Sequence, residues 1–136
     1  MATVFNVRFR VDFGSHCSVG IGKIELLEAI ARTGSLTRAA REMRMSYRRA
    51  WLLLEDMNVS FDKPVARASV GGRGGGGVVQ TAFGNRLVAG YRHLESSLLP
   101  LANAELRDFG RHIKAVGPKR TPRSVSIKRR TAIRAP

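Results

Sequence analysis

The sequence predicts a mainly α-helical fold with a small β component, and three observations support this class. Apolar residues recur at helical spacing in four stretches between residues 22 and 116. Two of these helices are separated by only two residues, which forces them to cross steeply. Residues 65–70 and 78–81 suit extended chain and flank a run of glycines. This order predicts a winged helix-turn-helix followed by a long C-terminal helix that can serve in dimerisation.

The charge of the chain indicates a polyanionic partner. The 136 residues include 24 Lys and Arg against 10 Asp and Glu, a net charge of +14. Residues 1–106 account for +5 and residues 107–136 for +9. Nineteen of the basic residues are Arg, which suits forked contacts to phosphate and guanine. We therefore expect a nucleic acid as the partner.

Composition also narrows the class and compartment of the protein. A chain of 136 residues fits one domain with an appendage rather than a two-domain enzyme. A lone cysteine, Cys17, forms no internal disulfide, and no stretch approaches the roughly 18 apolar residues of a spanning helix. The start at Met1 lacks a basic stretch followed by an apolar segment. We expect a cytoplasmic protein without membrane insertion.

The N-terminal part predicts one strand and one helix. Residues 5–13 alternate between apolar and polar side chains, which is typical of a half-buried strand. Residues 14–22 are interpreted as a turn-rich connection, and residues 22–33 as the first helix. The partner of the strand stays open: it can pair with the wing sheet or with its equivalent across a dimer.

The helix-turn-helix is predicted at residues 36–58, with helices near 36–43 and 46–58. Ser35 and Ser46 stand where N-caps are needed. On the second helix, spacing predicts that three large apolar residues belong to the core, and we assign them no ligand role. These are Trp51, Leu54 and Met57.

The outward residues at the start of the second helix are expected to meet base edges in the major groove. Either Arg48 or Arg49 can fork onto guanine O6 and N7. A solvated helix face is the alternative, but residues 37–49 contain five Arg and one acid, Glu42, so ion pairing cannot neutralise them. The candidate DNA-binding residues are Thr37, Arg38, Arg41, Arg44, Ser46, Tyr47, Arg48, Arg49, Arg67 and Arg73. Arg38, Arg41 and Arg44 are expected on phosphates.

The glycine run at 71–77 contains a match to the dinucleotide-binding fingerprint. We reject that interpretation because residues 78–81 predict a strand, whereas the fingerprint requires a helix to follow. The run is either a flexible loop or a wing tip whose Arg73 reaches DNA. Its position after a helix-turn-helix favours the wing.

The C-terminal part predicts helices and a tail. Leucines and Tyr91 repeat at steps of four and three from Leu87 to Leu101, which permits packing against a second helix. Pro100 is expected to bend or break this helix, and the spacing resumes from residue 102 to 116. Residues 118–136 hold seven basic groups and no acid, and we expect them to be disordered. The predicted segments are 1–81 for DNA binding, 82–116 for dimerisation, and 117–136 as a basic tail.

No residue pattern supports catalysis or a cofactor. His16, Cys17, His93 and His112 lack metal-ligand spacing, and no serine lies in a nucleophile elbow. We therefore expect neither an enzyme nor a metal site.

Residues 34–40 (Gly-Ser-Leu-Thr-Arg-Ala-Ala) and 45–51 (Met-Ser-Tyr-Arg-Arg-Ala-Trp) resemble the N-terminal DNA-binding domain of ModE-type molybdate-responsive regulators, relatives of the LysR-type helix-turn-helix. The similarity extends through the glycine run and through residues 81–84 (Thr-Ala-Phe-Gly). It implies a dimer that reads two half-sites, with Ser46 to Arg49 at the start of the recognition helix and Arg73 as the wing cation. The residues implied in dimerisation are Phe83, Leu87, Tyr91, Leu94 and Leu98.

The sequence departs from this family in two places. Arg44 stands in the interhelical turn, where relatives commonly have glycine, so a strained backbone or a different turn is expected. About 30 mostly basic residues follow the long helix, too few for the family's molybdate-binding domains, and molybdate binding is not expected.

The leading hypothesis is a sequence-specific, dimeric regulator of transcription that binds double-stranded DNA. Two alternatives remain: a non-specific protein that packages nucleic acid by charge, and the DNA-binding half of a split regulator whose sensor is another chain.

Overall fold

The structure is a computed structural model that describes residues 5–69 and 77–114. It confirms the mainly α class with a small β component. In chain order the elements are β1 (Arg10–Phe13), β2 (Cys17–Gly20), α1 (Ile21–Thr33), α2 (Leu36–Glu42), α3 (Tyr47–Ser60), β3 (Ala66–Ser69), β4 (Gly77–Gln80), α4 (Ala82–Leu106) and a 3-10 helix (Arg107–His112). The predicted tail at 117–136 and the wing tip with Arg73 lie outside the described residues.

Both predicted N-caps of the helix-turn-helix are present. The Ser35 hydroxyl accepts a hydrogen bond from the Arg38 amide at 3.2 Å, and the Ser46 hydroxyl accepts one from the Arg49 amide at 3.1 Å. Each bond satisfies an amide that has no partner within its own helix. The starts of α2 and α3 are therefore fixed by serine side chains.

The main core lies where α1, α2 and α3 meet. Leu27 and Ile30 of α1 are fully buried in one cluster with Ala39 and Ala40 of α2. Small alanines on α2 let its backbone approach the neighbouring helices closely. Ala50, Leu54 and Met57 complete the cluster from α3, so the predicted core role of Leu54 and Met57 is confirmed. This packing fixes the angle between the two helices of the motif.

The N-terminal strand differs from the prediction. Only Arg10–Phe13 forms a strand, and it pairs antiparallel with β2, Cys17–Gly20, inside the region predicted as a turn-rich connection. It therefore does not pair with the wing strands among the described residues, and pairing with its equivalent across a dimer stays a prediction. The strand β2 was missed because its four residues end in glycine and give too short an alternation. Cys17 and Val19 of β2 instead form a second small cluster with Ile24 and Tyr91.

The long helix α4 continues through Pro100, so the helix does not break there, and the expected bend stays a prediction. Pro100 is exposed, and water can bond to the carbonyl that loses its amide partner. After Leu106 the chain tightens into the 3-10 helix rather than continuing the α-helical spacing. No helix among the described residues is long and apolar enough to cross a lipid bilayer.

The wing sheet consists of β3 and β4, which pair antiparallel from Ala66 opposite Gln80 to Ser69 opposite Gly77. Its base is attached to the helices. The Asn58 side chain of α3 accepts from the Val65 amide at 2.8 Å and donates to the Ala66 carbonyl at 3.1 Å. The wing therefore emerges beside α3 at a fixed position.

Candidate nucleic-acid interface

The turn between α2 and α3 contains a residue in the left-handed region. Arg44 has φ of 54°, and it is the only non-glycine residue with positive φ among the described residues. Its amide bonds to the Arg41 carbonyl at 3.1 Å, and the Met45 amide bonds to the Ala40 carbonyl at 3.0 Å. These bonds close the turn around the strained residue. The strained backbone expected at Arg44 from the sequence is thus present.

The surface of the helix-turn-helix has an uncompensated positive charge. Glu42, the single acid between residues 37 and 49, binds Arg32 of α1 at 3.0 Å and is therefore already paired. Among the described residues between 36 and 80, six guanidinium groups are exposed and have no ion-pair partner within residues 5–69 and 77–114. They belong to Arg38, Arg41, Arg44, Arg48, Arg49 and Arg67. Such a group of free cations suits binding to phosphates.

Helix α3 presents these cations on two different faces. Arg48 lies opposite the buried face formed by Ala50, Leu54 and Met57, as the helical repeat requires. Arg49 lies on one flank, in the same row as Asp56 two turns further along, and Asp56 forms an ion pair with Lys23 of α1. Arg48 therefore projects furthest from the protein, and Arg49 projects toward the side of α1.

The predicted core position of Trp51 is wrong. Its side chain is 45% exposed, and that of the neighbouring Leu52 is 48% exposed. Trp51 lies one turn beyond Tyr47 on the flank of α3 that also holds Asn58, the residue bonded to the wing base. The core side of α3 is already filled by its other apolar residues. Sequence reasoning missed these two exposed side chains, although a run of three leucines at 52–54 cannot all face inward on one helix.

The remaining candidate DNA-binding residues differ in how available their side chains are for contact with DNA. Thr37 and Tyr47 are exposed in the first turns of α2 and α3. The Ser46 hydroxyl oxygen accepts from the Arg49 amide to cap α3, which leaves its O–H to donate. Arg67 lies on β3, on the wing rather than on the helix-turn-helix, and its side chain is exposed. The candidates of α2, the turn and α3 are thus exposed within the helix-turn-helix, and Arg67 is exposed on the wing strand β3.

The residues implied in dimerisation fall into two groups. Phe83 and Leu87 pack against the core, and Tyr91 is only 5% exposed. The Phe83 ring meets the Phe61 ring edge-on at 5.4 Å between centroids. Leu94 and Leu98 lie further along α4, where Leu94 is exposed and Leu98 half-buried. The first group therefore stabilises the single chain, while the second has surface available for a second chain.

An open depression of about 450 Å³ lies between α1, α2 and α4. Its charged lining is largely paired: Arg92 binds Glu28 at 2.6 Å and Glu95 at 2.9 Å. The hydrogen bond to Glu28 raises the pKa of Arg92 above its usual range. Within the described part of the chain, no three His, Cys, Asp or Glu residues lie together as a metal site would require. The charged side chains of this depression form ion pairs that hold α4 in place, rather than standing free to bind a metal.

The two capped helices, their tight turn and the adjoining two-stranded wing define a winged helix-turn-helix of the DNA-binding class. Residues 21–85 match the model of the bacterial regulatory helix-turn-helix proteins of the LysR family. This segment is similar to the LysR-type helix-turn-helix, and the resemblance to ModE-type proteins is confirmed over the N-terminal part.

Relatives of known name support this assignment. The molybdenum transport protein ModE of Azotobacter vinelandii is 42% identical over 94 residues, 69% of this chain and 35% of the relative. The molybdenum-pterin-binding protein MopB of Rhodobacter capsulatus is 41% identical over 86 residues, 63% of this chain and 32% of the relative. The DNA-binding transcriptional dual regulator ModE of Escherichia coli K12 is 38% identical over 69 residues, 51% of this chain and 26% of the relative. The aligned part is thus about a third or less of each relative's length.

Proposed function

We propose that the protein is a sequence-specific, double-stranded DNA-binding regulator of transcription that acts as a cytoplasmic homodimer. The observation that carries the proposal is the set of unpaired guanidinium groups on α2, the turn and α3. A solvated surface usually balances its charges, whereas this one leaves cations free on the very helices that meet DNA in this fold. The ModE relative from Escherichia coli is named as a DNA-binding regulator.

The proposal gives the cations two kinds of role. Arg48, on the outermost face of α3, forks onto guanine in the major groove and supplies base discrimination. Arg38, Arg41 and Arg44 bind phosphates and fix the register of the protein on the duplex. Thr37, Ser46, Tyr47 and Arg49 border the groove, and Arg67 and Arg73 of the wing reach the neighbouring backbone.

A second copy of the chain is the proposed partner of α4. The apolar stripe that packs on the core at Leu87 and Tyr91 continues along the helix at Leu94, Leu98 and Leu101. Leu101 is 59% exposed, because the body of the domain no longer covers this part of the helix. Pairing of two such stripes buries them and presents two recognition helices to two half-sites. In this scheme residues 1–81 bind DNA, 82–116 dimerise, and 117–136 add non-specific attraction.

Selection of bound duplexes from a random pool at about 150 mM salt tests the proposal, because non-specific attraction is already weakened there. We expect an enriched palindrome with half-sites about one helical turn apart, or a multiple of it. Tight binding without enrichment would contradict it.

Two matched variants then separate the roles of the cations. Arg48→Ala is expected to reduce the preference for the enriched duplex over random duplex by about 10-fold to 100-fold. Arg38→Ala removes the same charge but is expected to weaken binding to both duplexes equally. An unchanged preference in the double variant Arg48→Ala, Arg49→Ala would overturn the recognition role of α3.

A packaging role is the second candidate, favoured by the charge of +9 on residues 107–136. It predicts a steep loss of affinity with salt and no preference among sequences. Deletion of residues 118–136 would then remove most of the binding, whereas the regulator is expected to keep its sequence preference after the same deletion.

A further inference from the structure

Two large apolar side chains lie exposed on the helix that is surrounded by free cations. Trp51 and Leu52 are the fifth and sixth residues of α3, each nearly half exposed. Exposure of single apolar residues is common, but here two adjacent ones lie in the second turn of the recognition helix. Neither belongs to either of the two clusters of buried residues or to the apolar residues packed against them.

Leu52 shares the outermost face of α3 with Arg48. The two residues are four positions apart, so Leu52 lies about 6 Å further along the helix axis on the same face. Trp51 stands beside Leu52 on the wing side, next to the row of Tyr47 and Asn58. Leu52 therefore points in nearly the same direction as Arg48, one turn further along the helix.

The thymine methyl group is the apolar feature of the major groove that a leucine side chain can contact. Guanine, cytosine and adenine present hydrogen-bonding groups and no methyl group at their major-groove edges, whereas thymine adds a C5 methyl group. A leucine side chain has no donor or acceptor, so thymine is the base whose edge it can contact without leaving a polar group unpaired.

We propose that Leu52, with Trp51 as a side wall, selects thymine through its methyl group within one or two base pairs of the guanine bound by Arg48. This inference rests on the proposed function and adds a second specificity-determining contact to it. The charge around the patch supports DNA as the occupant, because Arg48 and Arg49 adjoin it without ion-pair partners among the described residues.

Replacement of thymine by deoxyuridine in the enriched duplex tests the proposal, because it removes only the methyl group. We scan each thymine of the half-site in turn and measure the dissociation constant by fluorescence anisotropy. At one position near the guanine we expect about fourfold weaker binding per half-site, the equivalent of one buried methyl group. Leu52→Ala should weaken binding to the thymine duplex. The variant is therefore expected to bind the thymine and deoxyuridine duplexes with equal affinity.

Val59→Ala is the matched control. Val59 is an exposed apolar residue on the same face of α3, seven positions or about 10 Å beyond Leu52. Its variant is expected to keep the full difference between thymine and deoxyuridine. Thermal unfolding of both variants checks that they fold, which their exposed positions favour.

The outcomes distinguish the two proposals. Enrichment of a duplex with no thymine near the guanine, or equal binding of the thymine and deoxyuridine duplexes at every position, overturns the role of Leu52 and leaves the regulator intact. If Leu52→Ala keeps the full difference in affinity between the thymine and deoxyuridine duplexes, the role of Leu52 is also overturned and the regulator is left intact. The exposed face is then assigned to a protein partner. Absence of any enriched duplex contradicts the regulator itself and this inference with it.

Discussion

The hydroxyl of Tyr91 donates a hydrogen bond to the Phe9 carbonyl at 2.7 Å, and the two rings stack with 4.3 Å between their centroids. This contact joins the extended N-terminal segment to the middle of α4, 82 residues away in sequence. It therefore ties the element proposed for dimerisation to the body that carries the recognition helix.

Tyr91→Phe keeps the ring stack and removes only the hydroxyl. We expect the free energy of unfolding to fall by about 1 kcal/mol, because the half-buried Phe9 carbonyl loses its partner. Urea unfolding followed by circular dichroism measures the change. Tyr47→Phe removes the hydroxyl of an exposed tyrosine and should leave the free energy of unfolding unchanged within about 0.5 kcal/mol. Equal stability of the Tyr91 variant and the parent would mean that the contact adds nothing.

Alkaline unfolding provides a second test of the same side chain. Burial, and then the charge of Glu95, raise the pKa of Tyr91 above its usual value of about 10. The folded state therefore favours the neutral phenol. The contribution of Tyr91 to the free energy of unfolding is complete below pH 10. It is lost as the pH rises through the higher pKa of the folded state, because the unfolded chain ionises first. The free energy of unfolding should fall more between pH 9 and pH 11 in the parent protein than in Tyr91→Phe.

Gly84 and Gly90 of α4 are expected to respond oppositely to alanine. A Cβ atom at Gly84 would overlap the Val65 carbonyl oxygen, whereas one at Gly90 would meet nothing within 4 Å. Gly84→Ala must displace the backbone at the base of the wing, and we expect a loss of about 2 kcal/mol or more. Gly90→Ala should gain about 0.5 to 1 kcal/mol through helix propensity. Thermal unfolding of the two variants checks the direction of each change in stability. A Gly84→Ala variant as stable as the parent would refute the close approach of Gly84 to the Val65 carbonyl oxygen.

The sequence was sufficient for much of the fold because the decisive signals were local. Helical spacing and serine caps placed α1, α2 and α3 within about two residues of their observed bounds. The failure at Trp51 involved competition between elements. Spacing assigned Trp51 to the core, but Ala50 and Met57 occupy the side of α3 that the neighbouring helices cover. The site residues themselves remain predictions until DNA is bound.

The exposed stripe of α4 predicts a change in oligomeric state. Leu98→Asp combined with Leu101→Asp puts two charges into each half of the proposed interface, and burial of an unpaired charge costs several kcal/mol. We expect a monomer by sedimentation equilibrium, with the unfolding of the single domain little changed. Ser96→Asp places a charge on an exposed residue on the opposite side of the helix and should leave the dimer intact. A parent protein that is itself monomeric would contradict the proposed pairing.

Arg44 combines a strained backbone with a proposed phosphate contact, so Arg44→Gly should move stability and affinity in opposite directions. The left-handed conformation costs a side-chain-bearing residue about 1 to 2 kcal/mol, part of which is offset by the greater freedom of glycine in the unfolded chain. We expect the free energy of unfolding to rise by about 0.5 to 1 kcal/mol. Affinity for enriched and random duplexes should fall together, and the slope of log K against log salt should decrease by about 0.9, the value for one phosphate. Chemical unfolding and salt titrations measure the two effects independently. A more stable variant with an unchanged salt slope would show that Arg44 is kept for some reason other than contact with the backbone of DNA.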